Sequence, residues 1–160
     1  MSGAVNRATA EHHPAATAQD AQALAEQVAI AMCARDRASR SLGMKLDSVG
    51  PGHAVLTMTV REDMLNGHDI CHGGFIFALA DSAFAFACNS YNRTTVASGC
   101  AIDFVAPARQ GDMLTATARE RSVSGRTGVY DIEVTNQRGE RVAFFRGKSY
   151  RIKGHIVEQG

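Results

Sequence analysis

The stretch His72-Gly73-Gly74-Phe75-Ile76-Phe77-Ala78-Leu79-Ala80-Asp81-Ser82-Ala83-Phe84-Ala85-Phe86-Ala87-Cys88 decides the fold. On a helical wheel the large apolar residues of 75–88 point in every direction, so a helix there is expected to be buried on all sides. A chain of 160 residues makes one domain of ordinary size. In so short a chain, only a sheet curled around the helix would cover it. The run is also too short to cross a hydrocarbon layer, which takes about 20 residues, and Asp81 interrupts it. No membrane span is expected.

On either side of this helix the hydrophobic period shortens from helical to alternating. Upstream, 44–49 and 53–60 read as a hairpin around Gly50-Pro51-Gly52, with Ala54, Leu56, Met58 and Val60 alternating against Thr57 and Thr59. A loop over 61–72 leads into the helix. Downstream, strands are expected over 96–104, 113–122, 127–136 and 141–152, parted by turns at 107–112, Ser124-Gly125 and Arg138-Gly139. Short turns imply antiparallel neighbours. Ahead of the hairpin, 21–37 reads as a surface helix with Asp20 as its N-cap and Leu24, Val28 and Ala31 on one stripe. The class is α+β: an antiparallel sheet wrapped around one long central helix, with an extra N-terminal helix. Residues 1–20 are expected to be a disordered tail without a secretory pattern, 21–153 the folded domain, and 154–160 a flexible C-terminal tail.

Charge narrows the partners. Seventeen basic and sixteen acidic residues leave a net charge of +1, and no basic run stands out to track a nucleic-acid backbone or an anionic membrane. Cys33, Cys71, Cys88 and Cys100 are irregularly spaced, which suits reduced thiols in the cytoplasm. His68, Cys71 and His72 match no usual zinc spacing, so no metal is expected, and no base is evident to activate Cys71 or Cys88 as a nucleophile.

Two features of the central stretch point to chemistry. Gly73 and Gly74 open the helix, presenting backbone N–H groups that suit an anion or a polarised carbonyl oxygen. Asp81 places a carboxylate in the most apolar helix of the chain, where an unpartnered charge would cost several kcal/mol. Eight residues of helix separate Gly73 from Asp81, a rise of about 12 Å, too far for both to act on one carbonyl carbon. If both serve one substrate, Asp81 must come from a second subunit, as in a two-fold dimer with the two helices antiparallel.

At these residues the sequence resembles the hotdog-fold thioesterases, and among them the phenylacetic acid degradation family that acts on hydroxyphenylacetyl-CoA. The resemblance spans about 42–152. It rests on Met64-Leu65-Asn66-Gly67-His68, Cys71-His72-Gly73-Gly74, Leu79-Ala80-Asp81-Ser82-Ala83-Phe84-Ala85, Ala87-Cys88-Asn89-Ser90, Val96-Ala97-Ser98, Ile102-Asp103-Phe104, Thr127-Gly128-Val129-Tyr130-Asp131-Ile132-Glu133 and Phe145-Arg146-Gly147-Lys148-Ser149. It implies a dimer with a joined sheet, usually doubled to a tetramer, and an acyl-CoA substrate needing no cofactor, since CoA belongs to the substrate. It also implies Asp81 as the catalytic acid, Gly73 as the backbone donor to the thioester carbonyl, and Asn66 and His72 as flanking polar groups. Gly74, Ser82, Ser98 and Arg93 are the expected substrate-binding residues, Arg93 through phosphate. Ser82 stands where the family commonly has Thr, keeping the hydroxyl, and Phe86 where it commonly has Tyr, losing it.

In this reading Gly73 N–H polarises the carbonyl, and Asp81 acts as general base on a water held with Asn66 or as the nucleophile itself. Two other functions fit parts of the pattern. A hydratase or dehydratase of the same fold would use His72 with an acid. A non-catalytic acyl-CoA sensor would use the pocket alone, though 1–43 offers no basic recognition helix.

Overall fold

The computed structural model describes residues 17–158; positions 1–16 of the expected tail, with 159 and 160, lie outside the described residues. Helix α1 (Ala18–Arg35) starts earlier than expected because Thr17, not Asp20, is its N-cap. The Thr17 side chain accepts from Asp20 N–H at 3.1 Å while the Asp20 carboxylate accepts from Thr17 N–H at 2.8 Å. This reciprocal capping box satisfies donors that Asp20 alone would leave open. The buried residues are Ala25, Val28 and Ala29, with Leu24 and Ala31 only half-buried. Asp36 ends α1 and caps the short α2 (Arg37–Ser41), so the helix expected to reach 37 is broken at 36.

Six strands follow: β1 (Lys45–Gly50), β2 (His53–Thr59), β3 (Thr95–Phe104), β4 (Met113–Ser124), β5 (Thr127–Thr135) and β6 (Arg141–Arg151). They form one antiparallel sheet in the order β1-β2-β4-β5-β6-β3. Tight turns make neighbours of β1 and β2, β4 and β5, and β5 and β6, as expected, but not of β3 and β4. The connection between those two is long enough to cross the sheet's end. Its buried Ala108 accepts from Cys71 N–H at 2.8 Å, pinning it to the loop before the helix. β3 is therefore an edge strand beside β6, and nearly all of it is exposed.

Helix α3 (Gly73–Asn89) lies across this sheet. Leu79, Ala83 and Phe84 meet Leu56, Met58, Leu114, Ile132 and Phe145 in the core. The Phe84 ring sits 5.4 Å from that of Tyr130, and a Cβ on Gly147 would come within 2.8 Å of it, so the helix rests directly on the β6 backbone. The expectation of burial on all sides is corrected. Ala78, Asp81, Ser82 and Ala85, at i, i+3, i+4 and i+7, remain partly exposed along one stripe. One sheet covers one side of a helix; the opposite stripe needs a separate cover, and α2 supplies it only near Ser82, whose hydroxyl is 3.1 Å from that of Ser39.

The expected C-terminal tail also proves partly anchored. Asn92 Oδ1 accepts from the N–H groups of Ile156 and Val157, both at 2.9 Å, and its amide donates to Val157 O at 3.0 Å.

Candidate active site

The loop before α3 is locked by its own backbone. Asn66 N–H donates to Ile70 O and His72 N–H to Met64 O, both at 2.8 Å, and Leu65 and Cys71 form a short bridge. Asn66 Oδ1 accepts from His68 N–H at 2.9 Å, which fixes the side chain and leaves its amide N–H groups to donate elsewhere. His72 is the N-cap of α3: its Nδ1 accepts from Gly74 N–H at 2.9 Å. Of the two opening amides, Gly74 is thus engaged. Gly73 N–H has no acceptor among the described residues. A Cβ at Gly73 would stand 2.8 Å from the Phe104 ring, so only glycine lets that aromatic lie against the helix start.

Asp81 sits on the partly open stripe. Its one hydrogen-bond partner among the described residues is the Cys100 thiol, 3.9 Å from Oδ1. Burial raises its pKa above the ordinary carboxylate value, opposed by that weak bond from Cys100. The carboxylate is therefore destabilised as an anion and poorly satisfied. Groups in that condition cluster at functional sites, which makes Asp81 a candidate.

β3 runs antiparallel to α3, and this alignment orders the site. Phe104 lies against Gly73, Cys100 reaches Asp81, and Thr95 N–H donates to Asn89 Oδ1 at 2.9 Å. The four residues from Cys100 to Phe104 span about 13 Å of strand, in agreement with the helical rise between Asp81 and Gly73. Within one chain the carboxylate and the free amide stay apart.

The other expected residues are dispersed. Ser82 is tied to Ser39. Ser98 lies at a bulge in β3 and donates to Lys148 O at 3.1 Å. Arg93 is exposed beyond the C-terminal end of α3, at the far end of the helix from Gly73. Burial lifts the thiol pKa values of Cys71 to about 11 and Cys88 to about 12, so neither is a thiolate at neutral pH. Sequence reasoning missed Cys100 and Phe104. The signal for them was parity: Cys100, Ile102 and Phe104 alternate onto the same face of β3.

An antiparallel sheet laid on a long helix that opens in His-Gly-Gly and carries a mid-helix acid is the hotdog fold. Comparison with known proteins agrees: the thioesterase superfamily profile matches residues 68–143, which include both Gly73 and Asp81. The acyl-coenzyme A thioesterase PaaI of Escherichia coli (strain K12) is 54% identical over 131 residues, 82% of this chain and 94% of its own. The structure of the E. coli PaaI protein from the phenylacetic acid degradation operon superposes with a TM-score of 0.83 at 53% identity, covering 84% of this chain and 97% of that one. A mutant of the phenylacetic acid degradation protein PaaI from Thermus thermophilus is 41% identical, with a TM-score of 0.71 over 73% of this chain and 100% of its own. The chain belongs to the thioesterase superfamily, and it is a thioester hydrolase of the hotdog fold.

Proposed function

We propose that this enzyme hydrolyses aryl-acyl-CoA thioesters, (hydroxy)phenylacetyl-CoA foremost, to the free acid and CoA in aromatic catabolism. The observation that carries the reading is the pairing of an unsatisfied, half-buried Asp81 with an uncommitted Gly73 amide, both on the open side of α3. The substrate class is supported by the names of the E. coli and Thermus relatives. It also fits the Phe75 and Phe104 side chains near Gly73, which offer an apolar wall to an aryl group.

The two groups work on one thioester only across a dimer. Two features support that assembly: the bare β3 edge, with Val96 at 44% and Phe104 at 52% exposure, and the open α3 stripe beside it. A two-fold axis joining the β3 edges and setting the helices antiparallel brings each Asp81 toward the partner's helix start and extends the sheet across both chains. Such dimers then double to a tetramer. Four free cysteines suit a cytoplasmic protein.

In the mechanism, Gly73 N–H donates to the thioester oxygen as negative charge develops there. Asp81 either takes a proton from a water held with the Asn66 amide, or attacks the carbonyl to give a mixed anhydride that water opens. CoA leaves as a thiolate, and no cofactor is required. His72 serves as the cap of α3, its Nδ1 accepting from Gly74 N–H.

Thiol release from a panel of acyl-CoA substrates, ranked by kcat/KM, tests the reading, with hydroxyphenylacetyl-CoA expected above straight-chain esters. Absence of thiol release from every member sinks it. Asn66→Ala is expected to lose less activity than Asp81→Asn because it positions and does not react. Single turnover in heavy-oxygen water separates the two routes: label in the Asp81 carboxylate marks the nucleophilic one. Light scattering that finds a monomer at assay concentration would remove the shared site.

A further inference from the structure

Asp81 has one oxygen held and one free. Oδ1 lies 3.9 Å from the Cys100 thiol, while Oδ2 has no partner among the described residues. The backbone builds this contact. Cys100 pairs across the ladder with Gly147, and the Phe84 ring, three residues along α3 from Asp81, rests on that same glycine. Seating the helix on Gly147 therefore sets how far Asp81 stands from the residue beside Gly147 on the next strand. Phe104 against Gly73 and Thr95 against Asn89 fix the alignment from either side.

The chemistry of the pair gives the thiol one role. Partial burial, then the nearby Asp81 charge and the bond to it, raise the Cys100 pKa above the ordinary thiol value, so the group stays protonated at neutral pH. It meets the carboxylate as a weak donor. A donor to the ionised form of an acid favours that form, and this bond opposes the burial that raises the Asp81 pKa. The other groups packed around α3 at this level do not compete. Cys88, on the helix itself, is a neutral thiol bonded to Ala85 O. On β6, Arg146 and Lys148 flank Gly147 on the exposed face of the sheet, and Arg146 is paired with Asp131. Around α2, Asp36 is committed to Ser39 and Arg40 to the carbonyls of Cys33 and Ala34.

We propose that Cys100 is a positioning residue for the reaction: its thiol holds Asp81 Oδ1 and so turns Oδ2 toward the water or carbonyl that reacts. The inference rests on the reading of Asp81 as the reacting carboxylate. Three variants of the intact enzyme test it, through kcat, KM and the acid limb of the pH profile. Cys100→Ala is expected to lower kcat about threefold or more with KM nearly unchanged, because a weak bond is lost from the reacting group and none from the substrate. Its acid limb should move to higher pH, since the bond that opposed the effect of burial is gone. Cys100→Ser, which returns a donor, is expected to recover most of the lost kcat and to bring the limb back. Added to Asp81→Asn, Cys100→Ala should cost nothing further, because the thiol acts through the carboxylate. In the proposed dimer the partner's helix start also faces Asp81 with its own His72; that group is common to wild type and variant, so the difference between their limbs reads the thiol.

An unchanged kcat and limb in Cys100→Ala overturns the inference, as does an equal loss in Cys100→Ala and Cys100→Ser. A loss uniform across pH and accompanied by a lower Tm would assign Cys100 to the fold alone. The same fold-loss in the Asp81→Asn background would place its action elsewhere. All of these leave Asp81 standing, provided that Asp81→Asn by itself is impaired; a fully active Asp81→Asn refutes the reading beneath the inference instead.

Discussion

The two faces of α3 are built from similar residues and are used in opposite ways. One carries Leu79, Ala83, Phe84 and Ala87, all buried against the sheet. The other carries Ala78, Asp81, Ser82 and Ala85, half-open and holding a carboxylate whose one described partner is a thiol. The first face anchors the helix; the second is the one to which the proposed function assigns a substrate and a second subunit. Apolar composition alone does not distinguish a covered surface from one that waits for its cover.

The contrast breaks most clearly if the packed face is hollowed. Phe84→Ala should cost about 3–5 kcal/mol, because the ring lies on the Gly147 backbone between Tyr130 and Phe145 and its loss leaves a cavity. Denaturant unfolding measures it, and a loss below about 1 kcal/mol would mean that this face does not anchor the helix. On the open face the expected signature is reversed: Asp81→Asn should lower kcat by at least about 10²-fold while leaving Tm no lower than wild type. Near-normal turnover in that variant would remove Asp81 from the mechanism.

The pH dependence sharpens the same contrast. Burial raises the Asp81 pKa, so the folded protein holds that proton more tightly than the unfolded chain does. Ionising Asp81 thus costs stability as pH rises from its unfolded-state value through its raised folded-state value. The stability advantage of Asp81→Asn should be full at neutral pH and fade as pH drops through the ordinary carboxylate range. Activity, which needs the ionised form, should fall with an acid limb displaced above that of a solvated carboxylate; a limb at the ordinary position would contradict the burial. The smallest effect expected is at the edge of the fold: Thr17→Ala should cost about 1 kcal/mol through the lost capping box, with kcat unchanged.

Much of this was legible in the chain itself. The strands showed through alternation, as in Ala54-Val55-Leu56-Thr57-Met58, and the candidate site was proposed from two glycines and a displaced acid. Three things were not legible, each for a physical reason. The place of β3 beside β6 depends on a connection that crosses the sheet's end, and turn length does not encode the crossing. The α1 cap went to Thr17 because a box of two reciprocal bonds outcompetes a single one, and the pattern straddled the boundary drawn from composition. Cys100 and Phe104 enter the site through the alignment of a strand with a helix far from it in sequence, which local periodicity does not report.

That alignment has a length to keep. Between Thr95 and Phe104 the strand spends ten residues against the nine of β6 from Ala143 to Arg151, and the spare one is taken up at the bulge by Ser98. Side chains before and after it are thereby put out of phase. Thr95 beside Asn89 at one end and Phe104 against Gly73 at the other are both placed by the pairing with β6 on either side of that surplus residue. Removing it would leave Ala97 opposite Ser149 and Cys100 opposite Gly147 in plain alternation, so a one-residue deletion at this rim should be absorbed by the ladder without turning Cys100 or Phe104 away from α3.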